Sequence, residues 1–427
     1  MNPTVSFKTL GCRLNQAETA TITAAFSNAG YVFTPFGTVC DVTVIHGCAI
    51  TGKAEHSSLY AARQAKRISP NTLVILAGCP AETLGESLRD NPSVDLVIGQ
   101  SEKYSIPELL HRLHPGHYPI PPATVKLQAA PQFETQRALI KVQDGCDFHC
   151  AYCIVPTARG APVSRPLAQI YDEIKCVVEA GFSEIILTGA NLGRYQDGNI
   201  HLVDLIQKIE TIPDLKRIRL SSIEITTTER AIIDHMANSP KLCHFLHIPL
   251  QSGDDHTLAT MGRRYNSATY RQAIDHAVNA IPDLGLGTDI IVGFPGEDDK
   301  AFNNTVALVR ALPFSNLHIF PYSRRSGTRA DTMPNQVPES KKKERFQALT
   351  GIGETKRQLY AESFIGKNVS VLIERIDPAG NGHGWTGQYV QTCLKGANLH
   401  PRQIVTACVT RAEAGSIEAI VKSCDGR

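Results

Sequence analysis

The sequence is short of four things, and each shortage narrows the reading. Its 43 lysines and arginines almost balance 41 aspartates and glutamates, and a formal net charge of +2 is too small to imply a partner by itself. It lacks an apolar run long enough to span a bilayer. Its start, MNPTVSFKTLGC, passes straight into a strand pattern without the charged and apolar regions of a secretory leader. The last two absences point to the cytoplasm, where thiols stay reduced, so the twelve cysteines call for metal, catalysis or burial rather than disulfides. The fourth shortage is local. The stretch GCDFHCAYC offers Cys146, Cys150 and Cys153 and then no fourth cysteine, whereas a structural zinc takes four protein ligands and a four-iron cluster has four corners.

What is present divides into three parts, and 427 residues suffice for two or three sizeable cores. Residues 1–117 alternate short apolar, β-branched runs (VSFKTL, DVTVIHG, TLVILAG, SVDLVIG) with helix-like stretches, the order expected of a parallel α/β sheet domain. Residues 118–136 are proline-rich without helical period and read as a linker. From 137 to 335, six runs (ALIKVQDG, SEIILTGAN, KRIRLSSIE, CHFLHIPL, GLGTDIIVGF, NLHIFPYS) alternate with helix-length stretches, which predicts a partial (β/α)6 barrel. A charged helical connector covers 336–365. Short glycine-punctuated runs over 366–427 (NVSVLIERI, GWTGQYVQTCL, QIVTACVTRA, SIEAIVKS) predict a small all-β, OB-like barrel.

The cysteines fall at the functional ends of these patterns. FKTLGC, VTVIHGC and LVILAGC each place a strand, a glycine and a cysteine in succession, giving Cys12, Cys48 and Cys79. In a parallel sheet all three emerge along the C-terminal edge, where ligands bind. Burial as small apolar side chains is the bland alternative, and the threefold repetition argues against it. Cys146, Cys150 and Cys153 follow the first strand of the second pattern, again at the face where such folds do chemistry. His149 offers itself as a fourth zinc ligand, but its direct neighbour Cys150 would have to bind the same ion, and zinc motifs space their ligands further apart. Cys40, Cys176, Cys243, Cys393, Cys408 and Cys424 show no ligand spacing and read as packing residues.

Cys-x3-Cys-x2-Cys after the first strand of a βα barrel closely resembles the radical S-adenosylmethionine (SAM) enzymes. That resemblance implies that Cys146, Cys150 and Cys153 hold three irons of a [4Fe–4S] cluster and that the fourth iron receives SAM, which fills the missing place. It also implies cofactor contacts at Tyr152 beside the adenine, Gly189 in LTGAN, Glu224 in SSIE and Gln251 in HIPLQSG. Over nearly its whole length the chain resembles the methylthiotransferases, through TLGCRLNQAET, GCDFHCAYCIVPTARG, HIPLQSGDDHTLATMGRRY and FPYSRRSGTRA. Those enzymes have a terminal TRAM barrel and carry a second [4Fe–4S] cluster on the N-terminal triad, here Cys12, Cys48 and Cys79. They use two SAM molecules, one to methylate a sulfur on that auxiliary cluster and one to generate the radical that opens an inert C–H bond. Such a bond has no acidic proton, so positioning a radical and a sulfur donor across one cavity replaces acid–base catalysis.

TLGCRLNQAET and CAIT look most like the type acting on N6-threonylcarbamoyladenosine 37 of tRNA. The alternatives are the same base bearing isopentenyl, an aspartate of a ribosomal protein, or a non-catalytic RNA-binding protein with structural metal. His46, Gly47 and Thr157 depart from the more usual family residues at their positions. Expected partners are a tRNA anticodon loop and an electron donor such as flavodoxin or ferredoxin, with no membrane partner and a monomeric chain. Arg263–Arg264, Arg324–Arg325 and Lys341–Lys343 are candidates for neutralising phosphates, and Trp385 and Tyr389 for core packing or base stacking.

Overall fold

The computed structural model describes residues 2–421 apart from 89, 120, 122–132 and 134, so most of the linker, the end of the last segment and Cys424 lie outside the described residues. Five parallel strands, β1 (Thr4–Thr9), β2 (Val32–Thr34), β3 (Val42–Gly47), β4 (Leu73–Gly78) and β5 (Leu96–Ile98), lie in the order β2-β1-β3-β4-β5. Helices α1 (Arg13–Asn28), α2 (Gly52–Ile68), α3 (Cys79–Leu84) and α4 (Ile106–Leu113) connect and follow them. Burial on both faces explains why β3 and β4 read as continuous apolar runs. Val44 and Ile75 meet Ile22 and Phe26 of α1 on one face, while Ile45 and Leu76 meet Ala61, Ala62 and Ala65 of α2 on the other. The short edge strand β2 was not among the expected runs, since three residues carry too little alternation to register.

The six central runs are all strands: β6 (Ala138–Lys141), β9 (Glu184–Thr188), β12 (Arg217–Leu220), β13 (Phe245–His247), β14 (Gly285–Val292) and β15 (Asn316–Pro321). Between them, β7 (Gln143–Asp144) and β8 (Val163–Ser164) form an antiparallel clip around the cysteine loop, and β10 (Gln196–Asp197) pairs with β11 (Ile200–His201). The parallel groups β12-β9-β6 and β13-β14-β15 are joined where the Ile218 N–H donates to Lys241 C=O and the Cys243 N–H donates to Ile218 C=O, each at 2.8 Å. The result is an open six-stranded barrel. Alternate residues such as Ile140, Leu187, Ile218, Leu246 and Ile290 pack outward in one core with the helices. Their neighbours line the concave face, where Ala17 of α1 packs on Leu139 and Ile186.

A helix over Glu339–Glu362 gives Leu349 to this core and Ala361 to the next, so it fastens the barrel to the last unit. There β16 (Asn368–Ile376), β17 (Gly382–Thr386), β18 (Gln391–Lys395), β19 (Ile404–Glu413) and β20 (Ser416–Val421) close a barrel in the order β16-β17-β18-β20-β19. GWTGQYVQTCL, read as one run, is divided by a turn between β17 and β18. That turn carries Tyr389, whose ring stacks on Trp385 at 4.5 Å and whose hydroxyl accepts from Arg13 at 2.8 Å. Burial raises the Tyr389 phenol, but Arg13, Arg137 and Arg219 outweigh it and hold its pKa below the ordinary value. Trp385 and Tyr389 therefore serve as a joint between domains.

Candidate active site

Each thiol of the first triad sits just past a strand: Cys12 precedes α1, Cys48 follows β3 and Cys79 begins α3. Parallel strands in neighbouring positions deliver all three to one edge. Gly11 makes the approach possible, because at φ +106° a side chain there would be strained and its Cβ would come within 2.9 Å of the Cys48 sulfur. The Gln100 amide donates to the Cys79 sulfur at 3.4 Å. Burial pushes the Cys48 thiol up to about 11 and raises that of Cys79, with Arg159 pulling against it in both cases.

The second triad is local. Cys146, Cys150 and Cys153 lie in the loop that begins after β7, and its sulfurs are ringed by donors. The Phe148 N–H reaches Cys146 at 3.4 Å, Asn191 reaches the same sulfur at 3.7 Å, and Arg263 Nη1 reaches Cys150 at 3.3 Å. Burial raises the Cys146 thiol and pushes Cys153 up to about 12, so metal binding here would release protons. An open cleft of about 510 Å³ is lined by two cysteines of this triad, Cys150 and Cys153, with Thr157, Arg264 and Arg329.

The donor set also tests what could be held. A zinc ion with sulfurs at about 2.3 Å would bring them to roughly 3.8 Å from one another. Among the described residues, neither cysteine triad has its three ligand atoms within 4.8 Å of one another. The wider spacing suits thiolates on separate irons of a cluster better than thiolates on one ion.

Between the triads lies a buried ionic cluster. Glu18 of α1 is fully buried and meets Lys103 at 2.7 Å, Lys141 at 2.6 Å and Arg159 at 3.0 Å. Burial alone would raise its carboxyl, but Arg159, Lys103, Lys141 and His46 hold it well below the ordinary 4.5. Arg159, at the end of the helix Val155–Arg159 after the second triad, also donates to Asn15 at 2.7 Å and Asp144 at 2.9 Å. Ala158 beside it packs with Ala49 and Cys79. TLGCRLNQAET and CIVPTARG are thus joined side chain to side chain. Glu18, Arg159 and Asn15 were not singled out in the sequence, although a glutamate between Leu14 and Ile22 on one helical stripe is a legible signal.

Four further predicted residues distribute around the second triad. The Tyr152 hydroxyl accepts from Arg263 at 3.4 Å, and Glu224 pairs with the same guanidinium. Gly189 sits against Gln143, whose side-chain oxygen accepts from the Asn191 N–H at 2.8 Å. Gln251 is buried at φ +65°, its N–H donating to Asp289 C=O. The basic pairs need correction. Arg263 is buried against Glu224, Arg325 against Glu55, and Lys342 donates to Tyr322 C=O at 3.0 Å and to Glu339 at 2.6 Å. One cation of each cluster turns inward, and Arg324 is itself held by Asp331, which leaves Arg264, Lys341 and Lys343 as the candidates for phosphates. Of the cysteines read as packing residues, Cys40 and Cys243 are buried, whereas Cys176, Cys393 and Cys408 are partly exposed.

Comparison with known proteins bears on both halves. Residues 140–309 match the radical SAM superfamily and residues 4–99 match the uncharacterized protein family UPF0004. The chain is 36% identical over 394 residues to the threonylcarbamoyladenosine tRNA methylthiotransferase MtaB of Thermotoga maritima, covering 91% of this chain and 90% of the relative. It is 32% identical over 424 residues to MtaB of Bacillus subtilis, covering 96% and 94%. It is 35% identical over 379 residues to the tRNA-2-methylthio-N(6)-dimethylallyladenosine synthase of Cereibacter sphaeroides, covering 86% of each chain. Among solved structures, the radical SAM methyltransferase TsrM of Kitasatospora setae aligns at a TM-score of 0.58 with 12% identity, covering 78% of this chain and 77% of that one, which speaks to fold alone.

Proposed function

Since the chain belongs to the radical SAM methylthiotransferase family, we propose that it inserts a methylthio group at C2 of N6-threonylcarbamoyladenosine 37 in tRNA. The observation that carries the chemistry is the pair of three-cysteine sites joined through Glu18, Asn15 and Arg159, and the substrate reading is supported by the relatives named for threonylcarbamoyladenosine at 36% and 32% identity. One site follows the first barrel strand, where Cys146, Cys150 and Cys153 would hold a [4Fe–4S] cluster that supplies an electron to SAM when bound. Cys12, Cys48 and Cys79 would hold the second cluster, on the sulfur-donor side.

The chain's own residues then have separable tasks. Arg263 neutralises Glu224 and hydrogen-bonds a sulfur, fixing the loop that SAM would meet. Tyr152, Gly189 and Gln251 are the remaining proposed SAM contacts. Asn191 and the Phe148 N–H stabilise thiolate charge at Cys146. The Glu18–Arg159 cluster keeps the two cysteine edges in fixed register, as delivering a radical and a sulfur to one carbon requires. The target adenine would be presented unstacked from an anticodon loop, and a flavodoxin or ferredoxin would supply electrons. Among the described residues no helix is long and apolar enough to cross a membrane.

The relative at 35% identity named for dimethylallyladenosine supports a second reading, with isopentenyl at N6. Mass spectrometry of nucleosides, after anaerobic incubation of tRNA with reconstituted protein, SAM and a strong reductant, decides between them. A methylthio mass gain on threonylcarbamoyladenosine is expected. A gain on isopentenyladenosine instead would replace the substrate, and no gain on either with SAM consumed would move the search to protein substrates.

A further inference from the structure

The concave face of the central barrel is covered unevenly. Ala17 of α1 covers Leu139 and Ile186 on β6 and β9. The turn after β17 covers the next sector, with Tyr389 stacked near Phe245 at 4.8 Å and beneath the Arg219 guanidinium at 4.9 Å. Beyond Phe245 and Gly285 the face opens toward β15, where His318 and Phe320 reach solvent, and what lines it is distinctive. His247, Asp289 and His318 meet there: His247 Nε2 lies 2.9 Å and His318 Nδ1 lies 3.4 Å from the same Asp289 oxygen, Oδ1. Gly287 is required for this arrangement, since a Cβ there would stand 2.6 Å from His247 Nδ1. Two residues along the same face of β15 from His318, Phe320 leaves 45% of its surface exposed.

The backbone places this patch against the proposed SAM loops. The Ile223 N–H donates to His247 C=O at 3.0 Å and the Gln251 N–H to Asp289 C=O at 2.8 Å, so the segments carrying Glu224 and Gln251 rest directly on it. Burial raises the Asp289 carboxyl, but His247 and His318 outweigh it and hold it low, so it is an ionised acceptor at neutral pH. His318 directs both ring nitrogens to neighbours, Nδ1 toward Asp289 and Nε2 toward Asn316 at 3.2 Å, so it braces the carboxylate. An exposed aromatic ring beside a fixed acceptor is a recognition set for an unstacked base with a hydrogen-bond-donating substituent. Two histidines and one carboxylate are also a ligand set for a divalent ion, but an ion has no use for the adjoining exposed ring.

From this we infer that the β13–β15 face is the nucleoside-binding wall. Phe320 stacks on the target adenine, and Asp289, braced by His318, accepts from a hydroxyl or N–H of the N6 substituent, donors that an apolar prenyl group lacks. The inference rests on the substrate reading above and specifies where that substrate is read. Binding of fluorescein-labelled anticodon stem-loops carrying unmodified adenosine, threonylcarbamoyladenosine or isopentenyladenosine at position 37 tests it. The protein is reconstituted wild type, Phe320→Ala or Asp289→Asn, each matched for iron content and far-UV circular dichroism.

Phe320→Ala is expected to weaken binding of every loop about tenfold, the size of one lost base–aromatic stack. Asp289→Asn is expected to erase the wild-type preference for threonylcarbamoyladenosine over the other two loops. Unchanged affinity in Phe320→Ala, or an unchanged preference in Asp289→Asn, overturns the assignment. If wild type itself favours the isopentenyl loop, it is the substrate reading that fails. Phe320→Ala alone then judges the wall: weaker binding of all loops keeps it, and equal binding removes it.

Discussion

The two cysteine triads differ in how the chain builds them. Cys146, Cys150 and Cys153 are written within eight residues and held by a loop clipped at β7–β8, so their proximity needs little of the fold. Cys12, Cys48 and Cys79 span 68 residues and meet only because β1, β3 and β4 are adjacent and parallel. The contiguous site keeps an open side, whereas Cys48 and Cys79 are buried. A local site tolerates strain in the domain around it. A site assembled from strand ends depends on sheet register and on whatever holds the sheet in place, here the charges around Glu18.

Substituting the ligands themselves should break this comparison most sharply. Alanine at Cys146, Cys150 or Cys153 is expected to abolish both 5′-deoxyadenosine formation and methylthio product. Alanine at Cys12, Cys48 or Cys79 is expected to leave 5′-deoxyadenosine detectable by chromatography while product disappears. Wild-type product from an N-terminal variant would remove the sulfur-donor role from that triad.

That difference in construction also governs what the sequence disclosed. The contiguous triad was legible from spacing, and the dispersed one from a strand–glycine–cysteine phrase repeated three times, because parallel topology turns a repeated local phrase into a shared edge. The six barrel strands were legible because burial on their outer face gives apolar periodicity. Side-chain partnerships across domains were not. Arg263 and Arg325 look like surface cations in RR pairs, and only the fold shows that each is held inside by a glutamate. Nor does the sequence reveal that His247, Asp289 and His318 converge, since register between neighbouring strands is set by pairing and by the helices between them.

A smaller effect tests the claim that the dispersed triad leans on buried charge. Glu18→Gln leaves Lys103, Lys141 and Arg159 without their shared anion, and breaking a buried pair in this way costs about 3–5 kcal/mol. Near the local triad, the Asp147–Arg194 pair is substantially exposed, and Asp147→Ala should cost under about 1 kcal/mol. Urea unfolding of the metal-free chain by circular dichroism measures both. Equal losses would mean that the ionic cluster contributes no more than a surface pair.

The smallest effect is a slope. Glu18 and Glu184 are both buried carboxylates held low against the penalty of burial, Glu18 by Arg159, Lys103 and Lys141, and Glu184 by Arg219, Arg217 and Arg137. For a carboxylate whose folded pKa is depressed, the unfolded chain binds the proton first as pH falls. Stability is therefore complete above the ordinary 4.5 and drains away below it, at up to about 1.4 kcal/mol per pH unit for each group. The metal-free wild type should thus lose urea resistance more steeply below pH 4.5 than Glu18→Gln does, while the two curves run parallel above it. Identical slopes below pH 4.5 would show that Glu18 is protonated in the native state, and the charge network would then be absent from the seam between the two triads.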